Sequence, residues 1–503
     1  MSKVIKITAT DGTPFEFEDE IRGSGGMKDC YFSPDRSYVV LFYRELKEDY
    51  RIVKDRLLDI TGRYEQQMFR QSDVWRNYFC WPYKVVEYNG KLGVIAPFYD
   101  KSYFFKHGSA NNDMLNIRNK EKNGKWFASA VHFNRHLDAQ EKGDWRMYFR
   151  LLIRVARAVK KLHAAGLAHS DLSFNNVLID PISGNACLID IDDLVVPQKI
   201  PPKVIGTAGF IAPEVMMTKH LSMEDAKRKQ PSRLTDQHAL AVLIYLYLLH
   251  RHPLEGGKIH DMNDPQRDEE LMMGEKAVFT EHPTDASNRP NLKNVNPKAL
   301  SPTPWADISK LPYTICGPYL KELFDRTFID SLHNPQLRPT ADEWETGLIK
   351  TVDLMQPCQS PTCSMKWYVF DNSTAPKCPF CGTPYRGDLP VLNLYSKNPK
   401  GSYTYEKHRL MVYNNQYIYQ WHSNRRIVPS EGLTDLQKKP VGYFVFHNAK
   451  WLLVNQNLPD LQDLDTQTPI PIGKHLELKN NQKIMLSTEE GGRMIVVQIV
   501  ANP

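Results

Sequence analysis

The sequence contains no long hydrophobic run and carries little net charge, and both absences exclude classes of protein. Its longest apolar run, residues 239–249, has 11 residues, whereas a helix needs about 20 to cross a bilayer. The N-terminal segment alternates like a strand and contains acidic residues early, which is not the pattern of a signal peptide. A formal net charge of +6 over 503 residues does not favour a polyanionic partner. We therefore expect no membrane span and no nucleic-acid ligand.

Cysteine is scarce as well, and its distribution argues against a secreted, disulfide-bonded protein. The chain has eight cysteines, and four of them fall between Cys358 and Cys381. The others stand alone among apolar neighbours, as buried thiols do; they are Cys30, Cys80, Cys187 and Cys316. This usage predicts a reducing, cytoplasmic location. The length of the chain predicts two or three domains with a sizeable core.

One stretch in the middle of the chain concentrates the residues that phosphoryl transfer requires. The sequence HSDLSFNNVLID begins at His169 and contains Asp171 and, five residues later, Asn176; a following short strand ends on Asp190. A hydroxyl that attacks a γ-phosphate needs a carboxylate to orient it and take its proton, and the phosphates need oxygen ligands that hold Mg²⁺. The alternative is a helix–loop–strand in which these residues serve only as turn formers.

This stretch resembles the catalytic loop and the metal-binding loop of protein kinases. The resemblance implies ATP and Mg²⁺ as cofactors, Asp171 as the catalytic base, and Asn176 and Asp190 as Mg²⁺ ligands. Residues 206–214 resemble the segment that holds a peptide substrate. In that segment Thr207 matches the residue that hydrogen-bonds the base in serine/threonine kinases.

Two other positions of the resemblance are charged residues with structural roles. Asp236 opens the apolar helix and is expected to anchor the backbone of the catalytic loop. Arg338 is expected to pair with Glu214, because a buried acid without a partner is strongly destabilising. These signatures follow one another in the order found in kinases. We therefore expect a protein-kinase-like domain over residues 1–354, with an N-lobe at about 1–100 and a C-lobe at about 101–354.

A glycine-rich turn near the N-terminus is a candidate cradle for the phosphates of ATP. Gly23, Gly25 and Gly26 lie between two predicted strands, where glycines allow backbone N–H groups to approach phosphate closely. Such a turn by itself is a weak signal, because most glycine hairpins are only tight turns. It gains weight here because it precedes the kinase-like loop at the distance found in kinases.

The strand at residues 37–44 lacks the lysine that the third strand of a kinase usually carries. Phosphate in a closed cleft still needs a cation, and Lys28, on the strand after the glycine turn, is the expected substitute. This arrangement resembles that of the with-no-lysine kinases. Glu65, in the helical segment that follows, is expected to pair with the lysine. The alternatives are Arg44 as the cation, a surface position for Lys28 and a solvated Glu65.

Three departures from the kinase pattern bear on activity and regulation. Asp190-Ile191-Asp192 replaces the usual Asp-Phe-Gly, so we expect a loop that does not flip readily between two forms. Asp192 is expected to be a polar loop residue, with approach to a second metal as the alternative. Residues 193–206 contain no Ser, Thr or Tyr, so phosphorylation there cannot be a switch. Ser173 stands where a phosphate-contacting lysine is usual.

Four cysteines after the kinase-like region have the spacing of a metal site. Cys358-x₄-Cys363 and Cys378-x₂-Cys381 are separated by fourteen residues, which suits a tetrahedral Cys₄ zinc site. Two disulfides or a redox pair are the alternatives. We expect a zinc ribbon at residues 355–388 with a structural or docking role.

The end of the chain, residues 389–503, consists of many short strand-like segments, which predicts a β-sandwich. The segments WLLVN, IPIGKHLELKNNQKIML and GGRMIVVQI resemble the second half of a forkhead-associated domain. That family reads phosphothreonine, but its phosphate-binding loops have no clear match here. The basic loop at residues 422–426 is either a phosphate site or a solvated turn.

The expected fold class is α+β: a bilobal protein-kinase-like fold, a small Cys₄ zinc knuckle and an all-β sandwich. Together these modules resemble the bacterial kinases of tellurite-resistance phosphorylation triads, a resemblance carried by HSDLSFNNVLID and IDIDDLVVP. It implies a serine/threonine kinase that acts on protein substrates in a stress-response complex, with a PP2C-type phosphatase and a von Willebrand A-domain protein as partners. The competing interpretation is a pseudokinase scaffold that binds nucleotide and assembles partners through its C-terminal modules. Transfer of AMP instead of phosphate is a third.

Overall fold

The computed structural model describes residues 3–24, 27–46, 49–195, 206–222, 225–290, 305, 307–370 and 376–502. These residues group into two units. The first comprises Met1–Gly143, Met147–Tyr313 and Lys321–Thr346, and the second comprises Asp144–Arg146, Thr314–Leu320 and Gly347–Pro503. The cysteine-rich segment and the strands that follow it therefore fall in one unit.

The first half of the chain alternates short strands with helices. Its strands are β1 (Val4–Thr8), β2 (Pro14–Glu18), β3 (Gly23–Ser24), β4 (Lys28–Phe32), β5 (Tyr38–Tyr43), β6 (Lys84–Tyr88), β7 (Lys91–Pro97), β8 (Val177–Asp180) and β9 (Asn185–Leu188). The helices up to residue 352 are α1 (Tyr50–Asp59), α2 (Glu65–Phe69), α3 (Ala110–Asp113), α4 (Lys125–Ala128), α5 (Trp145–Ala164), α6 (Pro213–Thr218), α7 (Arg233–Leu249), α8 (Pro265–Met273), α9 (Pro318–Asp325) and α10 (Ala341–Val352). A π-helical turn at Ile60–Tyr64 joins α1 to α2.

A five-stranded antiparallel sheet forms the upper wall of the candidate site, in the order β3-β4-β5-β7-β6. Strand β5 reads YVVLFY, and its β-branched and aromatic side chains suit a pleated strand. Val40 and Phe42 enter one core cluster, while Tyr43 enters another with residues of α1. The β6–β7 hairpin turns at Asn89-Gly90, both with positive φ, as the Asn-Gly signal predicts.

Helix α5 leads into the loop that contains the predicted base. It ends before Gly166, which has a φ of 80°, as expected of a glycine that terminates a helix. The antiparallel hairpin of β8 and β9 follows that loop. Helix α7 is buried over almost its whole length, which confirms that the apolar run at residues 239–249 is a buried helix. Over the part of the chain that the structure describes, no helix is both long and apolar enough to cross a bilayer.

The second unit is built mainly of strands. They are β10 (Met355–Pro357), β11 (Trp367–Val369), β12 (Leu389–Lys397), β13 (Tyr403–Met411), β14 (Tyr417–Tyr419), β15 (Pro440–His447), β16 (Lys450–Asn455), β17 (Gln462–Asp463), β18 (Thr468–Pro469), β19 (His475–Glu477), β20 (Lys483–Met485) and β21 (Arg493–Val500). A short helix, α11 (Gln420–Ser423), interrupts them. One sheet has the order β13-β12-β21-β20-β17-β18 and another β14-β15-β16-β19. Both contribute to one hydrophobic cluster, which includes Leu392, Leu453 and Ile495, so they form two layers over a common core.

Candidate active site

A cavity of about 510 Å³ lies in the first unit. The five-stranded sheet contributes Gly23 and Lys28 to its wall, and the loops after α5 contribute Asp171, Asn176 and Asp190. Five of the residues predicted to bind phosphate, to bind Mg²⁺ or to act as the base therefore line one cavity. Its volume is in the range of sites that hold a small-molecule ligand.

The carboxylate of Asp171 is oriented by two hydrogen bonds. Thr207 Oγ1 donates to Asp171 Oδ1 at 2.7 Å, and Asn176 Nδ2 donates to Asp171 Oδ2 at 3.0 Å. The same amide group donates to the backbone carbonyl of Asp171 at 2.7 Å. A carboxylate held at both oxygens, on the wall of an open cavity, has a fixed direction from which to accept the proton of a bound hydroxyl.

Asp236, near the start of α7, holds the backbone of the loop that contains Asp171. The backbone N–H groups of His169 and Ser170 donate to the Asp236 carboxylate at 2.7 and 3.2 Å, and His163 Nε2 lies 3.0 Å from it. The Asp236 residue is 2% exposed. These contacts confirm the predicted anchor. They also hold Ser170 in the left-handed conformation, with a φ of 66°, which a non-glycine residue adopts only under such constraint.

Asp190 and Asn176 supply the oxygens that a magnesium ion would need. Asp190 follows β9, has a left-handed backbone with a φ of 56° and a ψ of 44°, and exposes 51% of its side chain. The amide nitrogen of Asn176 is committed to Asp171, so its Oδ1 is the ligand atom that it offers. Carboxylate and amide oxygens beside phosphate are the usual magnesium environment. The residues present therefore fit Mg²⁺ bound together with a nucleotide.

Lys28 points into the cavity, as the sequence predicted, but its main partner is an acid that the sequence did not assign to it. Lys28 Nζ lies 2.7 and 2.6 Å from the two carboxylate oxygens of Asp192 and 3.5 Å from Asp190 Oδ1. The hydroxyl of Tyr43 donates to Asp192 Oδ2 at 2.5 Å. Burial acts to raise the pKa of Asp192, and the contacts with Lys28 and Tyr43 outweigh it, so the pKa lies below its usual value.

The pairing of Glu65 differs from the expectation. Arg76 Nη2 donates to Glu65 Oε1 at 2.5 Å, and the same guanidinium lies 4.5 Å from the ring centre of Phe69. The carboxylates in contact with Lys28 are instead those of Asp192 and Asp190. Glu65 is therefore paired with Arg76, which lies on the short helix Asp73–Tyr78. Residue spacing alone does not reveal that Arg76 competes with Lys28 for this acid.

The remaining candidates for phosphate binding divide between the cavity and the region outside it. Arg44, the alternative cation, lies 3.6 Å from Asp29, and its side chain is 42% exposed; among the described residues it is not part of the cavity wall. Gly23 lines the cavity. Gly25 and Gly26, the other two glycines of the predicted cradle, lie outside the described residues.

An ion pair in the first unit joins two residues that are far apart in the sequence, as the kinase resemblance predicted. Arg338 donates to both carboxylate oxygens of Glu214, at 2.8 and 2.7 Å, and its side chain is fully buried. This bidentate contact confirms the predicted pair. It provides a buried guanidinium with the two parallel hydrogen bonds that suit its geometry.

A buried lysine in the irregular segment before α5 had no sequence signal. Lys122 Nζ lies 2.9 Å from Asp180 and 3.2 Å from Glu141, and all three side chains are at most 7% exposed. The three charges form a satisfied interior cluster. It ties the segment to the end of β8, close to the loop that holds the predicted base.

In the second unit the four clustered cysteines converge as a metal site would require. Their sulfur atoms all lie within 4.8 Å of one another, with Cys358 Sγ 3.5 Å from Cys381 Sγ and Cys363 Sγ 3.8 Å from Cys378 Sγ. A disulfide would need about 2.05 Å, whereas Zn–S bonds of about 2.3 Å in a tetrahedron put the sulfurs about 3.8 Å apart. The four residues fit a zinc ion.

The basic loop at residues 422–426 is largely engaged within its own unit. His422, Ser423 and Asn424 are buried. Arg426 pairs with Glu490, and Arg425 Nη1 donates to Ser396 Oγ at 3.2 Å. The burial of three of its five residues does not fit the solvated turn that was the alternative, and the contacts of both arginines within the unit argue against a phosphate site.

Comparison with known proteins agrees with this geometry for part of the chain. Residues 127–344 match the family model described as the protein kinase domain. The match includes Asp171, Asn176 and Asp190 but leaves out Lys28 and the glycine turn. The fold of residues 127–344 is thus kinase-like, and the match covers less than half of the chain.

Curated relatives that the chain matches include serine/threonine-protein kinases. Serine/threonine-protein kinase dkf-1 of Caenorhabditis elegans is 30% identical over 113 residues, which are 22% of this chain and 14% of that protein. Serine/threonine-protein kinase RAD53 of Saccharomyces cerevisiae is 28% identical over 111 residues, 20% of this chain and 13% of that protein. The chain therefore spans only 13–14% of the length of these relatives. Among solved structures, the kinase domain of a Toxoplasma gondii rhoptry antigen has a TM-score of 0.34 and 14% identity, covering 54% of this chain and 77% of that chain.

Proposed function

We propose that the chain is an ATP- and Mg²⁺-dependent serine/threonine protein kinase whose phosphate-binding lysine is Lys28. The observation that carries this proposal is the meeting of Lys28, Asp171, Asn176 and Asp190 on the wall of one cavity. A cation, a base and two metal ligands are the parts that phosphoryl transfer requires, because catalysis there is mostly positioning and charge stabilisation.

Each residue has a defined part in the proposed reaction. Asp171 accepts the proton of a substrate hydroxyl, with its carboxylate aimed by Thr207 and Asn176. Asn176 Oδ1 and Asp190 hold Mg²⁺, which would neutralise charge on the phosphates. Lys28 adds a second positive charge 3.5 Å from Asp190, and Gly23, on the wall of the same cavity, lets the backbone approach the phosphates. Protein side chains bearing a hydroxyl are the substrates.

A pseudokinase scaffold is the competing function, and it rests on two missing cations and on Asp192 in place of the usual glycine. The third strand has no lysine, and Ser173 replaces a lysine that usually contacts phosphate. Asp171, Asn176 and Asp190 oppose the scaffold, because the Asp171 carboxylate is held at both oxygens on the cavity wall and nucleotide binding alone does not require a base. Transfer of AMP would use the same metal ligands and is distinguished by the phosphate that is transferred.

The second unit has a separate proposed role. Cys358, Cys363, Cys378 and Cys381 hold one structural Zn²⁺ ion, and the strands that follow form a forkhead-associated-like module. The resemblance to tellurite-resistance kinases supports a role for this chain in a stress-response complex in the cytoplasm of a bacterium. Its partners there are a PP2C-type phosphatase and a von Willebrand A-domain protein.

Label transfer from ATP tests the proposed activity. The full chain with MgATP labelled at the γ-phosphate is expected to label itself, a generic protein substrate or the phosphatase partner. Asp171→Asn removes the base and is expected to lower kcat by roughly 10²- to 10⁴-fold. The Kd for MgATP should change little, because the base contacts the hydroxyl rather than the nucleotide.

A matched control makes the same chemical change on the surface. Asp285 accepts a hydrogen bond from the backbone of Ser287 at 2.8 Å in an exposed turn, so Asp285→Asn is expected to keep the wild-type rate. Absence of transfer from the wild-type chain to all three acceptors would leave the scaffold as the function. Transfer of label from the α-phosphate instead would establish AMP transfer.

A further inference from the structure

Lys28 and Tyr43 are brought together by the pairing of two strands. In the antiparallel pair β4–β5, Lys28 lies directly opposite Tyr43, and directly opposed residues project from the same face of a sheet. Lys28 Nζ lies 5.4 Å from the centre of the Tyr43 ring. Both side chains therefore leave the sheet side by side, toward the loops that contain Asp190.

Asp192 receives both of these side chains. It lies on the short helix Ile191–Asp193, and its side chain is only 5% exposed. Lys28 Nζ is within 2.7 Å of both of its oxygens, and Tyr43 Oη is 2.5 Å from Oδ2. A buried carboxylate with a bidentate ammonium contact and a phenol donor is a fully satisfied ion pair.

From these contacts we propose that Asp192 is the positioning residue for Lys28. Asp192 pairs with the lysine, a role that the kinase resemblance would assign to the helix residue Glu65. Glu65 is instead paired with Arg76. The inference rests on the proposed function, since it concerns the lysine that contacts phosphate. Asp192 itself does not contact phosphate; it acts through the ammonium group of Lys28.

The geometry has a consequence for regulation. Asp190 and Asp192 belong to one short segment, so the proposed metal ligand and the acid that holds the lysine are fixed together. Lys28 Nζ is 3.5 Å from Asp190 Oδ1, which places it beside the site where a metal and phosphate would bind. Movement of α1 and α2 would therefore not remove the acid that positions the lysine.

The test compares nucleotides with and without phosphates on the full chain. Asp192→Asn is expected to raise the Kd of MgATP roughly tenfold or more, because Lys28 loses its charged partner. The Kd of adenosine, which has no phosphate for Lys28 to contact, is expected to remain within about twofold of wild type. Isothermal titration measures both constants. An unchanged Kd of MgATP in this variant would overturn the proposal.

Two further variants separate the proposal from general damage to the fold. Asp29→Asn makes the same change one residue from Lys28, at a side chain that pairs with Arg44, and is expected to leave both constants unchanged. Glu65→Gln tests the helix acid, and a selective loss of MgATP affinity there would assign the positioning role to Glu65. If Asp192→Asn does not fold, Tyr43→Phe replaces it, with an expected weakening of MgATP binding by about three- to fivefold.

Binding and catalysis can fail separately in this experiment. A wild-type chain that binds MgATP but transfers no label would overturn the proposed kinase activity. The comparison between Asp192→Asn and Glu65→Gln would still decide which acid positions Lys28, because it is measured by nucleotide affinity alone.

Discussion

Single carboxylates illustrate how position in the fold decides the role of a residue in this protein. Asp353, in the second unit, lies 2.7 Å from His408 Nε2 and 3.5 Å from His422 Nε2. Burial acts to raise the pKa of this carboxyl, and the hydrogen bonds with the two histidines outweigh it, so its pKa lies well below the usual 3.8. In the sequence, Asp353 carries no mark that separates it from a surface aspartate.

This depressed pKa predicts acid sensitivity of the second unit. A carboxyl whose pKa is lower in the folded state contributes stability above its unfolded pKa and loses that contribution as the pH falls toward the folded pKa. The contribution of Asp353, about 2 kcal/mol, should therefore be present above about pH 5 and decline progressively below about pH 4. Thermal unfolding followed between pH 7 and pH 3 measures this decline.

Asp353→Asn is expected to lower the melting temperature of the second unit at pH 7. The melting temperature of this variant should then fall less between pH 7 and pH 3 than that of the wild type. Glu489→Gln removes an exposed acid of the same unit and should keep the wild-type decline. The same decline in Asp353→Asn as in wild type would assign the acid sensitivity to another group.

At the scale of elements, the cysteine-rich segment has few secondary-structure contacts to hold it. The strands that flank its first cysteine pair, β10 and β11, are three residues each, and residues 371–375 between the two cysteine pairs lie outside the described part of the chain. A bound metal would supply the order that so short a hairpin cannot, because metal binding in such small segments is coupled to folding.

The purified chain is accordingly expected to contain about one zinc ion. Cys378→Ser removes a fully buried ligand and should bring the metal content close to zero and lower the melting temperature of the second unit. Elemental analysis by mass spectrometry measures the metal. Cys316→Ala removes a buried thiol outside the cluster and should retain the zinc. Full metal content in Cys378→Ser would exclude the four-cysteine site.

At the scale of the whole molecule, the two units have separate hydrophobic clusters. The cluster in the first unit includes Val40 and Phe42, and the cluster in the second unit includes Leu453 and Ile495. Units with their own cores commonly unfold in separate steps. We expect two transitions in denaturant, which hydrogen exchange can assign to the residues of each unit.

Nucleotide should distinguish these two transitions. MgATP at a hundredfold excess over its Kd is expected to stabilise the first unit by about 2.7 kcal/mol, because the cavity with Lys28 and Asp171 lies in that unit. The transition of the second unit should not move. A single transition shifted as a whole by MgATP would contradict separate unfolding, and an unshifted first transition would contradict nucleotide binding at the cavity.

The sequence alone determined those parts of the fold that depend on local spacing. The Asn89-Gly90 turn, the end of α5 at Gly166 and the buried helix α7 follow from turn chemistry and apolar periodicity. The loop with Asp171 and Asn176 was predictable for the same reason, since its residues lie within a few positions of one another. The convergence of the four cysteines was expected from their paired spacing.

Only the tertiary structure decided the partner of Lys28 and the burial of Lys122, whereas the pair of Arg338 with Glu214 was expected from the kinase resemblance. The choice between Glu65 and Asp192 as the partner of Lys28 depends on the register of β4 with β5 and on the presence of Arg76 beside Glu65. The burial of Lys122 with Asp180 and Glu141 likewise joins separate segments. Such pairings are set by side-chain burial and competition among nearby charges, which depend on distances in the fold and leave no periodic pattern in the sequence.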